Sequence, residues 1–258
     1  CMSIGFVYSS KRKMENAKPI IEELKHKFHD AVNFLRPDTH SNNYYYCSDI
    51  KILDNTICDT IRIKYNPAKV SDDMPILNSE YQRYFQGISK LYTDYKLYHR
   101  SASDGFFAAR YKDGIFITAT KTYKDRLDTN RISYVHDYDE HANTLYYSGS
   151  YLPSSDTVEA WIVFKNNPNI TAIVHTHASE AFTRNYKYKD KIVVPKASYG
   201  IPEIGYQISK NINNYLNDFI ILEEHGEYFT FTMQPEFVGS ELKKILDFEL
   251  SLNQFIES

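Results

Sequence analysis

His175 and His177 stand two residues apart in the run Ile173-Val174-His175-Thr176-His177. On an extended strand, residues i and i+2 project to the same face. Two imidazoles would then leave a short apolar strand side by side, at the reach of one divalent cation. A third histidine and a carboxylate from elsewhere would complete a shell of three nitrogens and one oxygen. That set suits Zn²⁺, whose bonds to histidine are about 2.0–2.1 Å. His225 is the candidate third ligand: it follows the apolar run Phe219-Ile220-Ile221-Leu222 and precedes Gly226. The chain has nine histidines, so three at the ends of strand-like apolar runs form a concentrated signal. An isolated His-x-His pair is weak evidence; the repeated context is what sharpens it.

Three stretches read together resemble the class II aldolase/adducin family. They are Pro153-Ser154-Ser155-Asp156-Thr157, then His175-Thr176-His177, then His225-Gly226 closing an apolar strand. Asp156 precedes His175 by 19 residues, as the family's catalytic carboxylate precedes its first metal histidine. Asp113-Gly114-Ile115-Phe116-Ile117-Thr118 resembles the family's hairpin, and the resemblance spans roughly residues 75 to 258. It implies that His175, His177 and His225 hold Zn²⁺ or another divalent transition metal. It gives Asp156 two roles: metal ligand when the site is empty, and general base when substrate displaces it. Ser154 and Ser155 match positions that contact substrate phosphate, and a helix start is a reasonable anion cradle. Ser103 and Gly105 align with the phosphate-wrapping turn, and Lys121 stands in the next loop as a further substrate contact. Two departures stand out. Ser103-Asp104-Gly105-Phe106 brings in a carboxylate and replaces an Asn by Phe, and Thr118-Ala119-Thr120-Lys121 lacks the usual Pro and Gly. A carboxylate beside a phosphate repels it. Tyr186, Tyr188 and Tyr199 are candidates for the acid that such enzymes lend to a neighbouring subunit.

The activity implied is that of a metal-dependent aldolase, a carbon–carbon lyase. It would act on a small ketose or ketose phosphate by retro-aldol cleavage through a zinc-stabilised enediolate. Alternatives are a ribulose-phosphate 4-epimerase-like enzyme, a methylthioribulose-phosphate dehydratase-like enzyme, or a non-catalytic adducin-like scaffold. The resemblance also implies a homo-oligomer, a tetramer with sites at subunit interfaces.

The 258 residues suffice for one core plus a small extension. The net charge of −3 and the lack of a basic stripe argue against nucleic acid. No apolar run reaches a membrane span, so no membrane partner is expected. Three cysteines (Cys1, Cys47 and Cys58) without metal spacing, and no signal-peptide pattern at the start, fit a reduced, cytoplasmic compartment.

The elements that must position these residues follow from periodicity. Strands are expected at Ser3 to Ser9, Ala31 to Leu35 and Thr60 to Tyr65, with a helix from Lys13 to Phe28. Residues 66–75 carry two prolines and read as a linker, giving an extension or cap over 1–71 and an aldolase/adducin-like domain over 72–258. The second part should hold a helix near Asn78 to Tyr98, a hairpin (Gly105 to Arg110, then Gly114 to Thr118), and strands near Ile132 to Val135 and Thr144 to Tyr147. Next comes a helix from Asp156 to about Asn166, N-capped by Ser155, with Glu159 as a solvated residue on its next turn. The histidine strands, a helix from Glu203 to Leu216, a strand from Tyr228 to Thr232 and a last helix from Pro235 complete the order. The fold expected is an α/β/α sandwich around a mostly antiparallel sheet, with a small N-terminal α/β extension.

Overall fold

The computed structural model describes residues 63–98, 101–178, 192–195 and 200–254. The expected strands and helix before residue 60, the three cysteines, and Tyr186, Tyr188 and Tyr199 lie outside these residues. The chain divides into two compact units, 1–64 and 65–258.

The described residues of the second unit form one nine-stranded sheet. In chain order the strands are β1 (Asn66–Ser71), β2 (Phe106–Tyr111), β3 (Gly114–Thr118), β4 (Ile132–Asp139), β5 (Thr144–Ser148), β6 (Ala172–Thr176), β7 (Ile192–Val194), β8 (Asp218–Leu222) and β9 (Gly226–Phe231). Across the sheet they run β1-β5-β4-β3-β2-β6-β9-β8-β7. Only the pairs at the two edges, β1 with β5 and β7 with β8, are parallel. All the inner pairs are antiparallel, as expected.

The linker reading of residues 66–75 is corrected: its first half is strand β1. Among the described residues β1 is an outermost strand of the sheet, and proline is tolerated there because its missing N–H breaks no inner ladder. The strand is tied back by the Asn66 amide donating to the Asn143 carbonyl at 2.7 Å.

Among the described residues, four helices cover the sheet: α1 (Ser79–Asp94), α2 (Thr157–Asn166), α3 (Pro202–Asn211) and α4 (Pro235–Gln254). α1 begins where Asn78 accepts hydrogen bonds from the amides of Glu80 and Tyr81. Its buried side chains, Tyr81, Tyr84, Phe85, Ile88, Leu91 and Tyr92, recur at helical spacing. With Val238, Leu242 and Leu246 of α4 they pack on Phe107, Phe116, Val174, Ile221, Phe229 and Phe231 of the sheet, the main core. Each such fully buried side chain contributes about 1.5–3 kcal/mol. Strand alternation sends Phe106, Ala108, Ile173 and His175 to the other face.

That other face is covered by α2, whose end is fixed by Arg110 of β2. The Arg110 guanidinium donates to the carbonyls of Phe164 (2.7 Å) and Asn167 (3.1 Å) at the C-terminal end of α2. Those carbonyls have no partner within the helix, and a cation suits the negative end of the helix dipole. The opposite end of α2, where Asp156 sits, is thereby aimed along the sheet toward His175.

Candidate metal centre

The four candidate ligands converge. One ligand atom each from Asp156, His175, His177 and His225 lies within 4.8 Å of all the others. Asp156 and His175 are buried, and His177 and His225 are half-buried. His175 is in β6, between Phe106 of β2 and Tyr228 of β9 in register. His177 follows β6 and pairs with Tyr98 in an isolated bridge. His225 stands in the tight turn between β8 and β9, its amide donating to the Leu222 carbonyl at 3.1 Å. Gly226 closes that turn against β6: a Cβ there would come within 2.2 Å of the Thr176 carbonyl oxygen. No residue with a side chain fits, so glycine is what lets His225 reach the other two.

The chemistry of this donor set fits a divalent cation. His175 Nδ1 donates to the Glu227 carbonyl at 2.8 Å, because a carbonyl can only accept. That bond fixes the tautomer and presents the lone pair of Nε2. Burial, then the nearby His225 and Lys124, hold the His175 pKa well below that of free histidine, so the ring stays neutral, as a ligand must. The Nε2 atoms of His175 and His177 are 3.1 Å apart. Two nitrogens on one tetrahedral zinc, each about 2.0–2.1 Å away, would be about 3.3 Å apart. Asp156 Oδ1 is buried and has no hydrogen-bond partner among the described residues. A buried carboxylate oxygen is costly unless something positive or a donor meets it.

Asp156 occupies the N-cap position of α2, yet its side chain makes no capping bond. The expected Ser155 cap is corrected by one residue. The turn is held instead by Ser154, whose carbonyl accepts from the Thr157 hydroxyl at 2.7 Å and whose Oγ accepts weakly from the Asp156 amide at 3.4 Å. Ser154 and Ser155 are both buried in this turn. Gly105 (φ +74°) passes tight against the backbone of the histidine strand: a Cβ would lie 2.2 Å from the His175 carbonyl oxygen. The Ser103 hydroxyl shares a 2.8 Å hydrogen bond with Ser101. Lys121 is exposed on the turn after β3.

Several residues of this region carry no mark in the sequence motifs. Lys124, not Lys121, is the buried cation here: its ammonium donates to the carbonyls of Ser103 (2.8 Å) and Thr122 (3.2 Å), tying the Ser103 turn to the next loop. Glu227 is fully buried on the reverse side of the histidine strand. Its Oε2 accepts from the Thr176 hydroxyl and the Ala178 amide, each at 2.7 Å, and so ties the residues on both sides of His177. Burial pushes its pKa up to about 7. Glu159 is not solvated as expected but fully buried, accepting a hydrogen bond from the Gly200 amide. The Tyr228 hydroxyl is buried without a hydrogen-bond partner among the described residues, and burial, then Glu159 and Asp156, hold its pKa well above that of free tyrosine. Strand alternation in β9 could have flagged Tyr228 as sharing a face with His175; Glu227 on the reverse face, Lys124 and Glu159 carry no local signal of burial.

Comparison with known proteins agrees with this geometry. The family described as Class II Aldolase and Adducin N-terminal domain matches residues 90–231, more than half of the chain. A putative aldolase/epimerase/decarboxylase, YgbL from Escherichia coli, shares the fold with a TM-score of 0.51 and 16% identity, over 69% of this chain and 90% of that one. A sugar-phosphate aldolase from Thermotoga maritima does so with a TM-score of 0.51 and 17% identity, over 67% and 94%. No curated protein sequence matches this chain. The order of strands, the convergence of the three histidines on Asp156 and the extent of the family match lead to one conclusion: the chain belongs to the class II aldolase and adducin family.

Proposed function

We propose that the chain is a metal-dependent aldolase-type lyase that cleaves a small ketose or ketose phosphate, giving an aldehyde and a shorter carbonyl fragment. The observation that carries this reading is the cluster of one carboxylate and three imidazoles within 4.8 Å, with a buried Asp156 oxygen that no donor among the described residues meets. When bound, a cation such as Zn²⁺ would supply Lewis-acid polarisation of a substrate carbonyl. His175, His177 and His225 would hold it as neutral ligands, His175 with its ring orientation locked by the Glu227 carbonyl. Asp156 is the general base: it takes the proton from the hydroxyl β to the carbonyl as the carbon–carbon bond breaks and the aldehyde forms, and the carbon left with the bonding pair then takes a proton from solvent to give the shorter carbonyl fragment. Ser154, Ser155, Ser103 and the Gly105 backbone bind the polar groups of the substrate, with Lys121 at the outer edge. Assembly as a homo-oligomer, tetrameric by the family resemblance, and a cytoplasmic location belong to the same proposal.

The test starts with metal content, measured by elemental mass spectrometry on wild type and His175→Ala. About one zinc, manganese, iron or cobalt per chain, lost in the variant, is expected. A panel of ketoses and ketose phosphates then completes the test. Aldehyde release supports the lyase; inversion at C4 without release, or loss of water, replaces it by an epimerase or a dehydratase. A wild type that neither contains nor takes up metal leaves a scaffold.

A further inference from the structure

We propose that Glu159 is a positioning residue of the metal centre: by accepting the Gly200 amide, it holds the backbone of residue 200 beside the Ser155–Asp156 turn and so sets the direction of the Asp156 carboxylate. The proposal rests on the metal-centre reading and adds to it a residue that touches neither metal nor substrate.

Asp156 is held by little of its own making. It forms no capping bond, and its Oδ1 has no hydrogen-bond partner among the described residues. Its orientation must come from what packs around it. On one side are the three imidazoles. On another is residue 200: a Cβ built on Gly200 would lie 2.8 Å from the Ser155 carbonyl oxygen and 3.9 Å from Asp156 Oδ1. The Gly200 backbone (φ +73°) therefore lies beside the turn that carries Asp156, at a distance that leaves no room for a side chain between them. What holds it there is Glu159, one helical turn further along α2, whose Oε1 accepts the Gly200 amide. Glu159 and Gly200 are both buried. An acidic side chain placed wholly inside a helix–sheet layer is costly, so it calls for a compensating role. Losing a partner that orients a metal ligand typically costs 10–100-fold in metal affinity.

Three substitutions separate reach from charge. Glu159→Gln keeps the length and an accepting oxygen but removes the charge. Glu159→Asp keeps the charge but is a methylene too short. Glu159→Met keeps the length and helix preference but accepts nothing. The full chain, stripped of metal, is titrated with Zn²⁺ alone by calorimetry and with Co²⁺ by visible absorption, and exchange of the Gly200 amide is followed by NMR. Expected are a Gln variant within about threefold of wild type, Asp and Met variants weakened about 10–100-fold, and fast Gly200 exchange in those two only. Wild-type affinity in the Met variant overturns the proposal. So does full affinity in the Asp variant with loss in the Gln variant, since that assigns the effect to charge. Should the Met variant not fold, the Asp variant and the Gly200 exchange rate decide the same question. A wild type that binds no Zn²⁺ overturns the metal-centre reading and this proposal with it, whereas a wild type that binds and variants that all match it overturn this proposal alone.

Discussion

The two helical layers do different work on one sheet. The α1–α4 layer is a plain hydrophobic seal. α1 buries tyrosines, Phe85, Ile88 and Leu91 along one stripe and shows Gln82, Arg83, Gln86 and Lys90 to solvent. The layer containing α2 is different. Residues 157–164 of α2 are all buried, Glu159 among them, so the helix has hardly any wet face. Their first turns differ in the same sense. Asn78 spends its side chain on capping α1, whereas Asp156 leaves α2 uncapped and turns toward three histidines. One layer is built for burial, and the other gives up local helix stability to aim polar groups at a point.

Substitutions can break this contrast or sharpen it. The largest stability effect is expected in the sealing layer: Phe85→Ala opens a cavity in a fully buried site and should cost about 3–5 kcal/mol. Urea unfolding measures it, and the protein that stays folded should still bind one metal per chain. Loss of metal from folded Phe85→Ala would show that the two layers are not separable.

Glu227 gives the next effect, in the metal-free protein. Its folded pKa of about 7 lies above the ordinary 4.5. Ionisation therefore opposes folding: the penalty is absent below pH 4.5, grows between 4.5 and 7 and is complete above. At about 1.4 kcal/mol per unit it comes to roughly 3.5 kcal/mol. Glu227→Gln should remove it, so stability relative to wild type should shift in favour of the variant by up to that amount between pH 5 and pH 8. Parallel pH profiles for the two proteins would count against a carboxyl buried behind the histidine strand.

The smallest effect compares the two caps. Asn78→Ala should destabilise by about 1 kcal/mol. Asp156→Ala should change the stability of the metal-free protein by less than that, since no capping bond is lost, yet it should weaken zinc binding strongly. Equal thermal shifts for the pair would mean that Asp156 serves its helix after all.

Spacing and periodicity were enough to read the parts of this protein that repeat a local rule. The i, i+2 histidines follow from strand geometry, and the hairpin of β2 and β3 and the helix α1 lie close to where the sequence reading expects them. Asp156 came from its 19-residue distance to His175, a resemblance and not a periodicity. What escaped depends on neighbours distant in the chain. β1 exists because β5 offers it a partner, in spite of Pro67. Glu159 is buried because Gly200, 41 residues away, donates to it. Lys124 is buried because the Ser103 carbonyl, 21 residues away, accepts its ammonium. Amphipathic periodicity reports burial only where a helix or strand has one wet side. For α2, enclosed on nearly every side, and for charged residues satisfied by remote backbone groups, burial is set by which segments meet, and only the tertiary structure decides that.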